Sequence, residues 1–219
     1  VESEQAFRAF PNTILVDSTR RSLGEAASHW YGEPTASLDL VGITGTNGKT
    51  TSSFLLEGIW RSQGQNTGLI GTVEYRIGRK LLPAPLTTPD ALTLQRLFSE
   101  MRDQEVVCAA MEVSSIALDQ SRVAGCRFRV GLFTNFTPDH LDYHGTMAAY
   151  LKAKERFFVE FAPSCAVLNF DDESVRGIRP IVRSQEVLSF TTGTAGADFA
   201  VRAKELSGSG IRAEIETPI

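Results

Sequence analysis

The chain has 219 residues, of which 42% are hydrophobic and 22% charged, an ordinary balance for a globular protein. A formal net charge of −4 argues against the basic surface that duplex nucleic acid requires, so we expect no nucleic-acid partner. No apolar run is long enough to span a bilayer and no signal-peptide pattern occurs, which predicts a cytoplasmic protein with no membrane partner. The cysteines, Cys108, Cys126 and Cys165, form no CxxC pair and are interpreted as buried free thiols.

Apolar runs typical of strands alternate with segments of helical periodicity. The predicted strands, in chain order, are residues 38–44, 69–73, 106–113, 129–135 and 165–169. The predicted helices are residues 22–30, residues 50–63 with Gly64 as C-cap, a segment from Thr88 to near Gln104, and residues 146–158. In the third of these, the Thr88 hydroxyl is expected to cap the helix, with Pro89 and Asp90 in its first turn. This order predicts an α/β fold with a mostly parallel sheet and helices on both faces.

Two further segments have the pattern of antiparallel hairpins. Residues 74–82 alternate around Gly78, and residues 199–206 and 211–217 flank a Ser-Gly-Ser-Gly turn near the C-terminus. Residues 1–36 contain one short predicted helix and are interpreted as a linker or the tail of a preceding domain.

Residues 42–50 read Gly-Ile-Thr-Gly-Thr-Asn-Gly-Lys-Thr and join a predicted strand to a predicted helix. Backbone N–H groups at such a helix start can bind an anion, and glycines let a phosphate approach closely. Lys49 can reach the β and γ phosphates of a nucleotide, and the Thr50 hydroxyl can bind Mg²⁺. Because Ile43 stands where the general motif has glycine, this is a variant loop. The alternative is a glycine-rich turn with a surface lysine.

Acidic and histidine side chains follow two of the later strands. Glu112 ends the run 106–113, where a carboxylate at the carboxyl end of a parallel strand can hold Mg²⁺; the alternative is a solvated carboxylate. Asp139, His140, Asp142 and His144 fall within six residues, which suggests a second metal or phosphate site at the same edge of the sheet.

Lys154 lies in the middle of an apolar helical stripe. The stripe consists of Met147, Tyr150, Leu151, Lys154, Phe157, Phe158 and Phe161. One interpretation is a lysine whose ammonium reaches water past the apolar face. The other is a buried lysine with a lowered pKa, whose neutral amine can react with CO₂ to give a carbamate that binds Mg²⁺.

Together these residues resemble the Mur ligases of bacterial cell-wall synthesis. The matching motifs are Gly45-Thr46-Asn47-Gly48-Lys49-Thr50-Thr51, Leu86-Thr87-Thr88-Pro89, Glu112-Val113-Ser114-Ser115, Asp139-His140-Leu141-Asp142-Tyr143-His144-Gly145 and Tyr150 with Ala153-Lys154. Their order is most similar to that of members that add the third peptide residue to UDP-MurNAc-L-Ala-D-Glu. One departure is Ile116, which replaces a family histidine and is expected to alter local substrate contacts.

The resemblance implies a role for each matching residue. ATP would bind the loop formed by Gly45, Thr46, Asn47, Gly48, Lys49, Thr50 and Thr51. Thr50 and Glu112 would hold one Mg²⁺, and His140 with a carbamylated Lys154 would hold a second. The catalytic residues would be Lys49, Glu112, His140 and Lys154, and the UDP-MurNAc-dipeptide would contact Thr87, Thr88, Ser114, Gln120 and Arg122.

The resemblance further implies an ATP-dependent amide ligase of peptidoglycan synthesis. The D-Glu carboxylate would form an acyl phosphate, which the amine of diaminopimelate or lysine would attack. Residues 1–36 would be the end of an N-terminal UDP-binding domain, and residues 37–219 a central ATP-binding domain, incomplete and without its C-terminal domain. We expect a monomer, inactive by itself.

Two other functions remain open at this stage. A folylpolyglutamate-type ligase would share the phosphate loop, but the run 139–145 disfavours it. A non-catalytic nucleotide-binding module of the same fold would need no second metal site, so Lys49, Glu112, His140 and Lys154 argue against it.

Overall fold

A computed structural model of the protein describes residues 2–4, 12–193, 196–208 and 210–218. Within these ranges, ten strands form one sheet. The strands are β1 (Asp39–Thr44), β2 (Thr67–Ile70), β3 (Glu74–Ile77), β4 (Lys80–Pro83), β5 (Cys108–Glu112), β6 (Val130–Phe133), β7 (Cys165–Asn169), β8 (Glu186–Thr191), β9 (Phe199–Ser207) and β10 (Gly210–Glu216). Their order across the sheet is β10-β9-β8-β7-β6-β1-β5-β2-β3-β4.

The centre of the sheet is parallel and both ends are antiparallel. All neighbours from β2 through β5, β1, β6, β7 and β8 to β9 pair in parallel. The hairpins β2-β3-β4 and β9-β10 extend the same sheet at its two edges. The predicted fold class and both predicted hairpins are therefore confirmed.

Of the described helices, four have 12–14 residues and three have four or five. They are α1 (Thr19–Trp30), α2 (Lys49–Ser62), α3 (Ala91–Asp103), α4 (Ser115–Asp119), α5 (Leu141–His144), α6 (Met147–Val159) and α7 (Glu173–Gly177), with 3₁₀ turns at Pro34–Ser37 and Arg179–Ile181. In the described part of the chain, no helix combines the length and apolar character needed to cross a membrane.

Several predicted elements begin or end at other residues than expected, and two of these differences concern the site. Thr88 was expected to cap α3, but Asp90 does so by accepting from the Thr93 N–H, and the Thr88 hydroxyl instead donates to the Glu112 carbonyl. The strand predicted at 69–73 ends at Ile70, after which the chain bends toward Glu112. The sequence patterns also missed β8 and the short helices α4, α5 and α7.

The sheet order brings the predicted site residues to one edge. β1, β5 and β6 are parallel neighbours, so their carboxyl ends, with Gly45, Glu112 and Thr134, lie side by side. The chain continues from β1 to β2 on one side and from β6 to β7 on the other. Open α/β sheets bind ligands at such a switch in strand order, at the carboxyl ends of the strands.

The close packing of α6 on β1 depends on Gly42. A Cβ added to Gly42 would lie 2.5 Å from Phe157 Cζ and 2.8 Å from two ring carbons of Phe128. The Phe128 and Phe157 rings meet edge to face with centroids 4.8 Å apart, so neither ring has room to withdraw. The glycine therefore allows the helix that carries Lys154 to lie directly on the strand that precedes the phosphate loop.

We expect Gly42→Ala to lower the free energy of unfolding by about 1–3 kcal/mol, the usual cost of overpacking a close-packed core. The matched control is Gly58→Ala in α2, where an added Cβ meets nothing within 4 Å. There the helix propensity of alanine should raise stability by up to about 1 kcal/mol. Urea unfolding followed by circular dichroism measures both changes, and equal effects of the two substitutions would contradict the packing argument.

Candidate functional site

The phosphate loop begins with a turn that only glycine can make here. Gly45 has φ +140°, and a Cβ on it would lie 1.9 Å from Thr134 Oγ1. Gly48, with φ +86°, precedes α2, and no side chain caps the start of this helix. Polar side chains do cap α1, α3, α4, α6 and α7. The open N–H groups of α2 and its dipole therefore favour an anion in front of Lys49.

The chain after β6 holds this loop in shape. The N–H groups of Thr46 and Asn47 donate to the Asn135 carbonyl and side-chain oxygens, both at 2.9 Å. Thr134 Oγ1 donates to the Asn47 carbonyl at 2.7 Å, and Thr46 Oγ1 donates to the Thr137 carbonyl at 3.1 Å. The sequence patterns gave Thr134 and Asn135 no role beyond a strand end, because their partners lie about 90 residues earlier.

Lys49 curls back over the loop. Its Nζ donates to the carbonyls of Gly45 and Thr46, both at 2.8 Å. Burial lowers the pKa of Lys49, while the carboxylates of Glu112 and Asp139 act in the opposite direction. The ammonium is thus held at the mouth of the loop, where phosphate oxygens would offer it stronger, charged partners.

Glu112 ends β5 and is 1% exposed. Its Oε2 accepts from the Thr50 hydroxyl at 2.9 Å and from the Thr72 hydroxyl at 3.1 Å, and its Oε1 accepts from the Thr72 N–H at 2.9 Å. Thr50 and Glu112 are thus hydrogen-bonded to each other, and their shared role as Mg²⁺ ligands stays a prediction. The alternative of a solvated strand-end carboxylate is wrong. Thr72, which follows the bend after β2, is a member of this group that the sequence did not reveal.

These oxygens fit a magnesium ion. Thr50 and Glu112 both line the cavity, and hydroxyl and carboxylate oxygens are ligands that Mg²⁺ prefers. In the described ranges, no group of three or more His, Cys, Asp and Glu side chains converges as a metal site would require. A metal at this edge would therefore take remaining ligands from phosphate oxygens and water, as Mg²⁺ commonly does in nucleotide sites.

The run of acids and histidines after β6 does not form one cluster. His140 lies 3.6 Å from Asp139 (Nε2 to Oδ2), and both side chains are about half exposed. His144 instead faces α4, with its Nε2 2.9 Å from Ser115 Oγ, and burial lowers its pKa. The four side chains therefore do not share one cluster, but His140 lines the cavity, and a second metal or phosphate site at this edge stays a prediction.

Lys154 is buried under the loop. It is 1% exposed, its Nζ donates to the Gly45 carbonyl at 2.9 Å, and it lies 4.7 Å from the centre of the Tyr150 ring. Burial, reinforced by the positive charge of Lys49, lowers the pKa of Lys154 to about 7. The alternative in which the ammonium reaches water is therefore wrong, and a large fraction of the amine is neutral near pH 7.

The opposite wall of the cavity is a hydrogen-bonded group of the predicted substrate residues. Thr88 Oγ1 accepts from the Ser114 N–H at 3.1 Å, and the Thr88 carbonyl accepts from Arg122 Nη1 at 2.9 Å. Gln120 Oε1 accepts from Arg122 Nε at 3.0 Å and Nη2 at 2.7 Å. Thr87 Oγ1 lies 3.1 Å from Thr72 Oγ1. The contacts with Thr88 and Gln120 thus hold the Arg122 guanidinium in one orientation at the edge of the cavity.

The cavity has a volume of about 530 Å³ and collects nearly all of the predicted residues. Its lining includes Thr46, Asn47, Gly48, Lys49, Thr50, Thr51, Thr87, Thr88, Glu112, Ser114, Arg122 and His140. It also includes Thr72, Leu86 and Ile116. Gly45 and Lys154 lie behind the loop, and Gln120 lies behind Arg122. The fold and this cavity define an α/β domain with a phosphate-binding loop at the switch in strand order.

Comparison with known proteins narrows this class. Residues 43–217 match the family model of the Mur ligase middle domain. The UDP-N-acetylmuramoyl-L-alanyl-D-glutamate--2,6-diaminopimelate ligase of Halalkalibacterium halodurans is 42% identical over 220 residues, covering 98% of this chain and 45% of the relative. A solved structure of a ligase with the same printed name superposes with a TM-score of 0.84 at 30% identity, covering 95% of this chain and 43% of that one.

The chain therefore belongs to the Mur ligase family, of which it contains the middle domain. It spans less than half the length of the relatives just described. A folylpolyglutamate synthase of Mycobacterium tuberculosis, complexed with ADP, superposes with a TM-score of 0.67 at 18% identity, covering 96% of this chain and 54% of that one, and shares the fold. The predicted boundary between an N-terminal domain and the central domain, after residue 36, stays a prediction.

The buried position of Lys154 makes stability depend on pH. The folded-state pKa, about 7, lies below the ordinary value of 10.5, so the unfolded chain binds more protons between these pH values and stability rises with pH across this window. In CO₂-free buffer, Lys154→Met should therefore stabilise the protein by on the order of a few kcal/mol at pH 6, and less as pH rises from 7 toward 10.

The control for this measurement is Lys152→Met, on the exposed side of the same helix. Its difference from the wild type should not change with pH. Urea unfolding at pH 6 and pH 9 provides the comparison. A Lys154→Met variant less stable than the wild type at pH 6 would contradict the claim that the buried charge of Lys154 destabilises the folded protein.

Proposed function

We propose that this chain is the nucleotide-binding part of a ligase that joins diaminopimelate to UDP-MurNAc-L-Ala-D-Glu at the expense of ATP. The observation that carries the proposal is one cavity with two unlike walls. One wall is the phosphate loop with Lys49 and the Thr50–Glu112 pair, and the other is the polar group around Arg122. A site of this form can bring a phosphate donor and an anionic acceptor together.

The nucleotide would bind along the loop. The N–H groups at the start of α2 and the Lys49 ammonium would neutralise the β and γ phosphates of ATP. Thr50 and Glu112 would hold a Mg²⁺ ion, which when bound neutralises charge that develops on the phosphates. Because Thr50 already donates to Glu112, its hydroxyl oxygen keeps lone pairs for a cation.

A second Mg²⁺ is proposed at His140 and a carbamate on Lys154. The Lys154 amine lies beneath Gly45, in contact with the loop that would hold the phosphates. A neutral amine attacks CO₂ through its nitrogen lone pair and releases one proton, giving a carbamate whose oxygens suit Mg²⁺. His140 lines the cavity in front of this loop and offers a ring nitrogen.

The acceptor would bind on the opposite wall. Arg122, held by Thr88 and Gln120, can form paired hydrogen bonds with a carboxylate or phosphate of the UDP-MurNAc-dipeptide. Thr87 and Ser114 add polar contacts. Ile116 lines this wall and offers only apolar contact to a ligand, where the family pattern has histidine. The relatives' names support diaminopimelate, rather than lysine, as the added amino acid.

The proposed chemistry has two steps. An oxygen of the D-Glu carboxylate attacks the γ phosphorus and ADP leaves, which gives an acyl phosphate. The amine of diaminopimelate then attacks the acyl carbon, phosphate leaves and the nitrogen loses a proton, so an amide forms. In the first step, Lys49 and the loop N–H groups hold the transferred phosphoryl group in place. We place this reaction in the cytoplasm, where ATP is available, and propose a monomer.

The two alternatives have less support. Similarity to the folylpolyglutamate synthase shows the fold alone at 18% identity, and the relatives at 42% and 51% identity carry the printed name of the diaminopimelate ligase. A non-catalytic module would not need a lysine buried beside the phosphate loop, because burying an amine without function costs stability.

The test of this function is binding followed by turnover. By isothermal titration calorimetry, MgADP should bind the wild type and bind Lys49→Ala roughly 10–100-fold more weakly, the usual cost of losing a charged hydrogen bond. Lys152→Ala is the control, since it removes an exposed lysine of α6 that does not line the cavity.

The class of acceptor substrate is tested by measuring ATP hydrolysis by the full-length product of the gene. ATP hydrolysis should require both UDP-MurNAc-L-Ala-D-Glu and diaminopimelate, and Arg122→Ala should raise KM for the UDP-linked substrate. Hydrolysis that depends on a folate and glutamate would overturn the proposal, as would nucleotide binding without any acceptor-dependent hydrolysis.

The carbamate is tested by ¹³C NMR under ¹³CO₂ at fixed pressure. The wild type should show a protein-bound carbamate signal that grows as pH rises through about 7, because the neutral fraction of the Lys154 amine grows in that direction. Lys154→Ala should abolish the signal, whereas Lys152→Ala should keep it. A signal that survives Lys154→Ala would assign the carbamate elsewhere.

A further inference from the structure

The Glu112 carboxylate is held in place chiefly by a residue that belongs to neither the phosphate loop nor the substrate motifs. It accepts three hydrogen bonds, and Thr72 gives two of them, one to each carboxylate oxygen. The third comes from Thr50, at 2.9 Å. Because Thr72 bonds to both oxygens, it fixes the rotation of the carboxylate as well as its position, which a single donor cannot do.

The backbone before Thr72 is shaped around the same carboxylate. A Cβ added to Gly71 would lie 2.3 Å from Glu112 Oε1 and 3.1 Å from Cδ. β2 ends at Ile70, although the apolar pattern continues to Val73. The strand thus ends just before Gly71, the Thr72 N–H that follows reaches Glu112 Oε1, and glycine is the residue that allows this close approach.

A metal ligand needs this kind of support. Groups that hydrogen-bond to ligating carboxylates fix their orientation, and their loss commonly weakens metal binding. The exposed fraction of Glu112 is 1%, so water has little access to replace a lost protein donor. Thr72 lines the cavity, and within the described part of the chain its hydrogen bonds go to Glu112 and Thr87 and not to the loop residues 45–49.

We infer that Thr72 is a positioning residue, which orients Glu112 for Mg²⁺ and so couples nucleotide binding to the metal. The inference rests on the proposed function, because it takes Glu112 as a magnesium ligand. Thr72 acts through Glu112, so its loss should affect the contribution of Mg²⁺ to nucleotide affinity and leave the contribution of the loop itself intact.

The experiment measures binding of the ATP analogue AMPPCP by isothermal titration calorimetry, once with Mg²⁺ and once with EDTA. The ratio of the two affinities is the Mg²⁺-dependent gain. Thr72→Val keeps the branched shape and the N–H but removes the hydroxyl, and should lower this gain roughly 10-fold. Affinity in EDTA should stay at the wild-type value. Thr72→Ser retains the hydroxyl and should restore the gain.

Three results would overturn the inference. The first is a Thr72→Val variant whose Mg²⁺-dependent gain equals that of the wild type. The second is a Thr72→Val variant whose affinity falls equally with Mg²⁺ and with EDTA, which would indicate a general structural defect. The third is a Thr72→Ser variant whose gain is as low as that of Thr72→Val. A wild type with no Mg²⁺-dependent gain is a different outcome, because it removes the magnesium site of the proposed function and the inference with it. Circular dichroism of each variant confirms that the comparison is made on folded protein.

Discussion

The turn at Gly45 is the constraint on which the rest of the site depends. Its backbone dihedral and its contact with Thr134 Oγ1 exclude any side chain, and its carbonyl accepts from both Lys49 and Lys154. Two amines on one oxygen cannot both carry a full charge without repulsion, and burial together with the charge of Lys49 lowers the pKa of Lys154 to about 7. The Gly45 peptide group therefore sets the direction of the loop and holds both amines, while burial lowers the pKa of the lysine beneath it.

Hydrogen bonds from residues distant in the sequence hold the Gly45 turn in place. Asn135 and Thr134, after β6, bind the loop from one side, and Asn169 Nδ2, after β7, donates to the Thr134 carbonyl at 2.7 Å. Asp172 accepts from the Phe136 N–H at 2.6 Å and caps α7 through the Val175 N–H. The carboxyl ends of three parallel strands thus form one connected layer, and this layer positions His140 beside the phosphate loop.

Local patterns predicted the parts of the site that depend on neighbours in sequence. The phosphate loop follows from its glycine and lysine motif, the strand ending in Glu112 from an unbroken apolar run, and the helical stripe around Lys154 from a period of 3.6 residues. Thr72, Thr134 and Asn135 could not be found this way, because each acts on a residue 40 or more positions away. The cap of α3 was misplaced because Thr88 and Asp90 both suit that role, and only the tertiary contact of Thr88 with the Glu112 carbonyl decides between them.

The hydroxyl groups of Thr72 and Thr87 connect the two walls of the cavity, and Glu112 decides which hydroxyl donates and which accepts. An ionised carboxylate can only accept, so the single hydroxyl proton of Thr72 points to Glu112. In the 3.1 Å contact with Thr87, the Thr72 oxygen must then be the acceptor, so the Thr87 hydroxyl donates its hydrogen to Thr72.

The Thr87 oxygen therefore has only lone pairs to offer a ligand in the cavity, and it favours an N–H or O–H group of that ligand over a carboxylate. Arg122, which only donates, supplies the opposite preference on the same wall. A ligand that places an anionic group at Arg122 and a donor at Thr87 therefore binds in one orientation, and that orientation is set by the same carboxylate that is proposed to hold the metal.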